Sequence, residues 1–441
     1  MDFGKSDDPR VQAQLDRLSA LSVPQGRLGL ETIRALMERL GNPHRKLPPV
    51  FHVAGTNGKG SVCAFLRAML EADGKCVHVT TSPHLVRYNE RIRLAGKLIE
   101  DGPLAELLKE VLDASEQGGE DLAPSFFEVT IAAAFLAFSR TQADACVVEV
   151  GLGGRFDATN VLEPEALAAC GIAALGIDHE RFLLAPEEGV PTEPMARIAF
   201  EKAGIAKKGV PLVTMGPTQY SQSAVASIQS QAVKAGTSVH DDWWVETRGE
   251  SFLYQSPRRQ PARELPKSYE LEGPHQIRNA GLALAMLDAS DFTPSVNSIR
   301  IALTSLTSWP ARLQEMRSGP LLDALSARHG AVYLDGGHNR NAGQAIAEAL
   351  SGPLHLVIGM LDNKDPIALL DPLGNRVRTL QVVPVPGHDS HPASAFGEDA
   401  IARDDLEDAL LNVPSDGSPI LIAGSLYLAG EALRLNDEIP D

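Results

Sequence analysis

An α/β fold with a mainly parallel sheet, joined to a second and smaller α/β unit, is predicted by three observations. Apolar strand-like runs alternate with helical segments over most of the chain. One run, Pro49-Val50-Phe51, leads into a glycine-rich turn and then a helical pattern from Val62 to Ala72. The rhythm pauses between about 293 and 310 and then restarts.

Residues 9 to about 45 carry amphipathic helical patterns, as in Leu30-Glu31-Thr32-Ile33-Arg34-Ala35-Leu36-Met37. Strands are expected at 75–80, 144–150 and 210–214, and helices at 104–112 and 129–138. From about 240 to 272, Trp243, Trp244, Phe252 and Tyr254 stand among polar residues and turns, which predicts a small antiparallel section. Within it, Ser256-Pro257-Arg258-Arg259-Gln260-Pro261 reads as an exposed loop. An apolar helix is expected over 280–287, and new strands at 331–335, 354–359, 380–383 and 419–423. The expected division is a first domain over 1–297, a linker over 298–310 and a second domain over 311–441.

With 441 residues the chain is long enough for two or three domains. The net charge of −17 argues against a non-specific binder of nucleic acid or of anionic membranes. An anionic substrate would then need local clusters of Lys and Arg. Cys63, Cys76, Cys146 and Cys170 lie in apolar runs without metal-type spacing, as expected for reduced thiols in the cytoplasm. The first residues lack an apolar signal core, and no run reaches the ~20 apolar residues of a membrane span.

The most informative segment is His52-Val53-Ala54-Gly55-Thr56-Asn57-Gly58-Lys59-Gly60-Ser61. Strand, glycine turn and helix start form a phosphate cradle: backbone N–H groups face the anion, Lys59 adds a charge, and a hydroxyl can hold Mg²⁺. The usual pattern places Ser or Thr directly after the Lys, whereas here Gly60 intervenes before Ser61. Other segments are weaker alone. Ser82, after the strand at 75–80, could donate to a hard cation, or simply cap a turn. Glu149 closes an apolar strand, where a carboxylate needs a metal or an Arg partner. The loop after it offers Gly154, Arg155 and Asp157 beside a ligand, or else is a plain glycine-rich loop. His179 follows another apolar run and fits either a metal ligand or a structural histidine. By composition alone Lys202 reads as solvated. Trp309-Pro310-Ala311-Arg312 at the suspected junction would suit a nucleotide clamp between domains.

Taken in order, these segments resemble the folylpolyglutamate synthase/dihydrofolate synthase family of the Mur ligase superfamily. The resemblance runs from about residue 27 to 431. It is carried by the phosphate loop with the extra glycine, Ser82-Pro83-His84-Leu85-Val86-Arg87, Phe126-Phe127-Glu128, the loop from Glu149 to Asn160, Asp178-His179 and Glu201-Lys202-Ala203-Gly204-Ile205. Further matches are His275-Gln276 with Asn279, Arg312, Asp335 with His338-Asn339, Gly359-Met360-Leu361 with Lys364-Asp365, and Gly424-Ser425-Leu426-Tyr427.

The resemblance implies a P-loop ATPase domain followed by a Rossmann-like glutamate-ligase domain. It implies ATP at Gly55, Thr56, Asn57, Gly58, Lys59, Gly60 and Ser61, with Asn279, Arg312 and Asp335 also contacting it. Mg²⁺ would be served by Ser82, Glu149, His179 and Lys202, the last as a carbamate; a monovalent cation stays open. Lys59, Lys202 and His179 would carry the catalysis. Phe126, Phe127 and the stretch from Gly154 through Arg155 to Asp157 would border the pterin-bearing substrate, with Arg27 to Leu30 as a fainter match. His338 and Ser425 would contact L-glutamate.

The implied reaction joins L-glutamate to dihydropteroate and to reduced folylglutamates through an acyl phosphate, in a cytoplasmic monomer. The alternatives are a ligase restricted to one of these acceptors, another Mur-type amide ligase, or a P-loop ATPase switch. Only ~45 residues precede the phosphate loop, too few for a separate nucleotide-sugar domain. Two features depart from the family pattern: about eight extra residues around 183–191, and Gly337 with Arg340 where Ala and Pro are more usual.

Overall fold

The computed structural model describes residues 5–21, 29–117, 122–178, 180–267, 273–305, 310–323, 325 and 330–440. The larger sheet contains β1 (Val50–Ala54), β2 (Val77–Thr80), β3 (Ile92–Leu94), β4 (Lys97–Leu98), β5 (Ala145–Glu149), β6 (Leu167–Ile172), β7 (Leu212–Thr214) and β8 (Val239–His240). Their order across the sheet is β4-β3-β2-β5-β1-β6-β7-β8. The pairs from β2 through β8 are parallel, and β3 and β4 add an antiparallel edge.

The central strands are apolar at successive positions because both faces are covered. Val50, Cys146 and Val148 face a core built by α1 (Pro9–Ser19), α2 (Glu31–Arg39), α4 (Asp101–Glu116) and α5 (Phe126–Arg140). Phe51, Val53 and Val147 face α3 (Lys59–Ala72), α9 (Pro274–Ala289) and α10 (Val296–Ser305). Beyond β6, a third cluster packs α7 (Pro194–Ala203) and α8 (Gln222–Ala235) on the sheet. The short α6 (Glu180–Leu183) lies ahead of α7. Cys63, Cys76, Cys146 and Cys170 are all free thiols.

The antiparallel section expected over 240–272 is a three-stranded sheet of β9 (Trp244–Arg248), β10 (Ser251–Ser256) and β11 (Arg259–Pro266). Residues 256–261 keep the exposure the composition suggests at Pro257, Arg258, Gln260 and Pro261, but most of them are strand and not loop. Ser256 ends β10 and Arg259 opens β11, so the connection is a tight hairpin. Ser256 and Arg259 are drawn inward by one buried carboxylate: Asp288 of α9 pairs with Arg259 and accepts from the hydroxyls of Tyr254 and Ser256 at 2.8 and 2.6 Å.

The second unit has a six-stranded sheet in the order β12-β13-β17-β14-β15-β16. Its strands are β12 (Gln314–Glu315), β13 (Val332–Leu334), β14 (Leu354–Ile358), β15 (Val377–Val382), β16 (Ala400–Ala402) and β17 (Ile420–Ala423). Only β12 is antiparallel to its neighbour. The helices α11 (Pro320–Asp323), α12 (Arg340–Ala349), α13 (Leu370–Leu373), α14 (Leu406–Leu411) and α15 (Leu426–Leu435) flank it. The expected linker start at 298 falls inside α10, whose Ile299, Ala302 and Leu303 belong to the core of the first sheet. That helix is pinned at its start by Asp73, which accepts from Ser295 N–H and Ser298 Oγ at 3.0 and 2.7 Å. In the other direction, Leu85 and Val86 of the first unit pack against the core of the second.

Candidate active site

Strand C-terminal ends of both sheets face a shared cleft of about 1210 Å³. Parallel strands place their following loops at one edge, and that edge is where ligands bind in open α/β sheets. The β1–α3 turn forms its floor. Gly58 is the N-cap of α3 at φ +83°, with no side chain closing the first turn. The free N–H groups and the positive end of the helix dipole are therefore left for an anion. A Cβ on Gly58 would lie 2.5 Å from Asn279 Oδ1, so glycine is needed for space as well as for backbone angle. The turn is held from behind: Thr56 and Asn57 N–H donate to Ala174 O at 2.8 and 3.2 Å, and Thr56 Oγ1 donates to Gly176 O at 2.8 Å. Lys59 Nζ folds back to Gly55 O at 3.2 Å. Of the expected nucleotide residues, Thr56, Asn57, Gly58, Lys59, Gly60, Ser61, Asn279, Arg312 and Asp335 all line the cleft, and Gly55 lies just behind it.

Glu149 projects from the end of β5, beside Val53 of β1. It is buried, and burial pushes its carboxyl up from the ordinary range, against the charges of Lys59, Arg312 and Arg91. Its one close partner among the described residues is Ser82 N–H at 3.2 Å. The described residues contain no group of three His, Cys, Asp or Glu able to cage a metal alone. One buried carboxylate beside a phosphate cradle is nonetheless the donor set that suits Mg²⁺, which usually keeps waters and shares a carboxylate with substrate phosphates. Ser82 lines the cleft next to it. His179, the other expected ligand, lies outside the described residues.

Lys202, at the end of α7, is not solvated. Only 4% of it is exposed, and Nζ donates to Gly55 O at 2.9 Å from behind the phosphate turn. Burial, and then the neighbouring charge of Lys59, lower its pKa to about 7. Its surroundings thus disfavour the charged ammonium.

The second unit closes the cleft from above. Asp335, after β13, accepts from Leu313 N–H at 2.8 Å and from Gly337 N–H at 2.6 Å, and its carboxyl is raised by burial. Arg312 sits between Ala311 and Leu313, which hold φ +55° and +51°. Non-glycine residues keep such angles only where the surroundings enforce them, and the Asp335 bond to Leu313 is one of the restraints. Ser425 caps α15 by accepting from Tyr427 N–H at 3.0 Å, and both line the cleft with His338.

A contact that the motifs did not flag joins the units here. Asp178, next to His179, accepts from Lys364 Nζ at 2.5 Å and meets His338 Nε2 at 3.2 Å. Asn57 and Asn339 exchange two amide bonds of 3.1 Å across the same gap. Asp178 and Lys364 both stand inside matched motifs, but nothing in their spacing announces that they pair.

At the far end of the cleft, Phe126 and Phe127 open α5, whose Ser125–Glu128 capping box fixes the entry of the helix. Asp157 lines the wall beside them. Gly29 is also in the wall, whereas Arg27 and Leu28 lie outside the described residues. Two of the expected acceptor residues are not in the wall. Gly154 packs against the α7 backbone, where a Cβ would come within 2.8 Å of the Glu201 and Lys202 carbonyl oxygens. Arg155 turns away into a cluster of ion pairs, with Glu187 at 2.5 Å and Glu201 at 2.8 Å, completed by Arg197. A half-buried guanidinium is held where two carboxylates neutralise it. Glu187 lies within residues 183–191, where extra residues are expected, and its pair with Arg197 anchors that segment to the helix bearing Lys202.

No family model matches the chain. Dihydrofolate synthetase of Saccharomyces cerevisiae is 33% identical over 443 residues, spanning 93% of this chain and 98% of that protein. The chain belongs to the dihydrofolate synthase/folylpolyglutamate synthase family. A Bacillus subtilis member named dihydrofolate synthase/folylpolyglutamate synthase is 31% identical over 91% of this chain and 94% of its own length. Escherichia coli FolC, solved in complex with DHPP and ADP, superposes with a TM-score of 0.81 at 27% identity, covering 97% of both chains. The bifunctional enzyme of this family solved with Mn, AMPPNP and L-glutamate bound has a TM-score of 0.79 at 28% identity over 96% of this chain and 97% of that one. The family's two-sheet architecture is thus the one seen here.

Proposed function

We propose that this chain is an ATP-dependent ligase that adds L-glutamate to dihydropteroate and to reduced folylglutamates. One observation carries the reading: a single cleft holds a phosphate cradle with Lys59, a buried carboxylate at Glu149, an aromatic end at Phe126 and Phe127, and a lid bearing Arg312, His338 and Ser425. Three ligands of different chemistry can meet there. The members solved with nucleotide, with DHPP and with L-glutamate lend support.

A carboxylate is a poor electrophile, so its oxygen first takes the γ-phosphoryl group. The bond from γ-phosphorus to the bridging oxygen breaks, a bond to the carboxylate oxygen forms, and ADP leaves. The glutamate amine then bonds to the acyl carbon, inorganic phosphate departs with the acyl oxygen, and the amine gives up a proton. The α3 N-terminus and Lys59 hold the phosphates and offset the charge that builds on them. Arg312 and Asp335 hold the nucleotide from the second unit. Phe126, Phe127 and Asp157 orient the acceptor ring, and His338 and Ser425 position glutamate. Glu149, Ser82, His179 and a carbamylated Lys202 would hold Mg²⁺, which supplies charge neutralisation on the phosphates when bound. The second unit, residues 311–441, excludes water so that the acyl phosphate meets the amine first.

The same centre serves both acceptors, since each reaction ends with glutamate attacking an acyl phosphate. The test is glutamate-dependent phosphate release with dihydropteroate and with tetrahydrofolate separately, at equal ATP and Mg²⁺. Turnover with both is expected. Turnover with one alone would restrict the chain to a monofunctional ligase, as the names of the yeast relative and the Lacticaseibacillus casei folylpolyglutamate synthase describe those proteins. Phosphate release indifferent to glutamate would favour an ATPase switch. No helix among the described residues is long and apolar enough to cross a membrane. The reading includes a cytoplasmic, monomeric enzyme.

A further inference from the structure

Asp157 reaches the cleft wall while its carboxylate is held from behind by donors. Leu152 N–H donates to Oδ2 at 2.8 Å, and Thr159 donates to Oδ1 twice, through N–H at 3.0 Å and Oγ1 at 2.5 Å. The Thr159 hydroxyl bonds in turn to Nε2 of His52 at 2.8 Å. Both Thr159 and His52 are fully buried. The opposite ring nitrogen of His52, Nδ1, has no hydrogen-bond partner among the described residues.

The direction of this chain follows from counting protons. A hydroxyl has one proton to give. If Thr159 gives it to Asp157, the hydroxyl oxygen must accept from His52, so the proton of the neutral ring sits on Nε2. The unpartnered Nδ1 is then an unfilled acceptor. In the reverse order Nδ1 would be a buried, unpartnered N–H, the costlier orphan. The ring is kept neutral in either case, because burial lowers the His52 pKa to about 3.

We infer that Thr159 and His52 are positioning residues: they donate in series to Asp157 and hold it as an oriented carboxylate facing the acceptor. The inference rests on the proposal that the pterin end of the acceptor lies at Asp157. A carboxylate so held favours a ligand edge of N–H donors, such as the ring N–H and amino group of a pterin. It discriminates against rings that present only acceptors there. Neither residue lines the cleft, so each acts only through Asp157.

The test is calorimetric binding and steady-state kinetics with dihydropteroate and ATP. Thr159→Val removes the donor and keeps the branched shape, while Thr159→Ser keeps the hydroxyl. Thr159→Val is expected to raise Kd and KM for dihydropteroate about tenfold and to leave Kd for ATP within about twofold. Thr159→Ser should return dihydropteroate binding to within about threefold of wild type. His52→Leu should weaken dihydropteroate binding in the same sense, and His52→Gln, which retains an N–H donor, should weaken it less. Unchanged dihydropteroate affinity in Thr159→Val, or equal losses for ATP and dihydropteroate, would overturn the assignment. Should Thr159→Val fail to fold, equal dihydropteroate affinities in His52→Leu and His52→Gln would overturn it instead. Wild-type protein that binds ATP but not dihydropteroate would remove the acceptor reading, and the inference with it; that failure is seen without any variant.

Discussion

Lys202 shows how far surroundings decide a residue's chemistry. Its amine is buried and lies within the field of Lys59, and these two causes lower its pKa to about 7. A neutral amine adds to carbon dioxide with loss of one proton to solvent, and the resulting carbamate is an anion with hard oxygen donors. At Lys202, where the proposed function places a carbamate, that reversal of sign would turn the repulsion from Lys59 into attraction. Lys202→Ala is expected to cut kcat by about 10–100-fold and to regain part of it with added acetate or formate. Undiminished activity without rescue, or an unmodified amine in the electron density of a nucleotide-bound crystal, would count against the carbamate. Glu149 makes the complementary case. A buried carboxylate at a strand end can be read from the sequence as needing a cation, and its structural surroundings leave that need open.

At the scale of the element, the β1–α3 turn is where local sequence and local structure agree most closely. Gly58 must hold φ +83° and must leave room for Asn279 of α9. Gly58→Ala is therefore expected to destabilise the fold by about 1–2 kcal/mol and to weaken nucleotide binding at least tenfold. Thermal unfolding and titration with a non-hydrolysable ATP analogue check both; unchanged nucleotide affinity would mean that the turn does not cradle phosphate. Elsewhere local pattern was a poorer guide. Residues 256–261 look like a surface loop because they are polar and contain two prolines. Four of the six are exposed, but Ser256 and Arg259 turn inward because Asp288, distant in sequence, lies buried beneath them. The break near 293–310 was placed by turn residues, yet the apolar face of α10 returns to the first core through Ile299, Ala302 and Leu303.

In the whole molecule, the cleft exists only because two separately wound sheets present their strand ends to each other. Lys364 and His338 from one unit meet Asp178 of the other, and Asn57 pairs with Asn339. Removing Lys364 leaves a largely buried carboxylate short of its cation, a loss that is usually expensive. The double variant Lys364→Ala/Asn339→Ala is expected to widen the cleft and to lower kcat/KM for glutamate about tenfold or more. Small-angle X-ray scattering of the ligand-free protein should show a larger radius of gyration. An unchanged scattering profile together with an unchanged rate would show that these bonds do not set the closed arrangement.

The alternation of strands and helices, the phosphate turn, and the charged residues at strand ends were determined by the sequence alone. They depend on periodicity and on backbone demands that act within a few residues. The resemblance of ordered motifs supplied the family and most residues of the cleft. Only the tertiary structure decided that Arg155 faces ion pairs and not the cleft, that Glu187 ties the segment at 183–191 to the Lys202 helix, that Asp178 joins the units, and that His52 stands behind Asp157. The reason is physical. Where a charged side chain points is settled by which opposite charge or donor lies within a few ångströms, and those partners come from segments tens to hundreds of residues away.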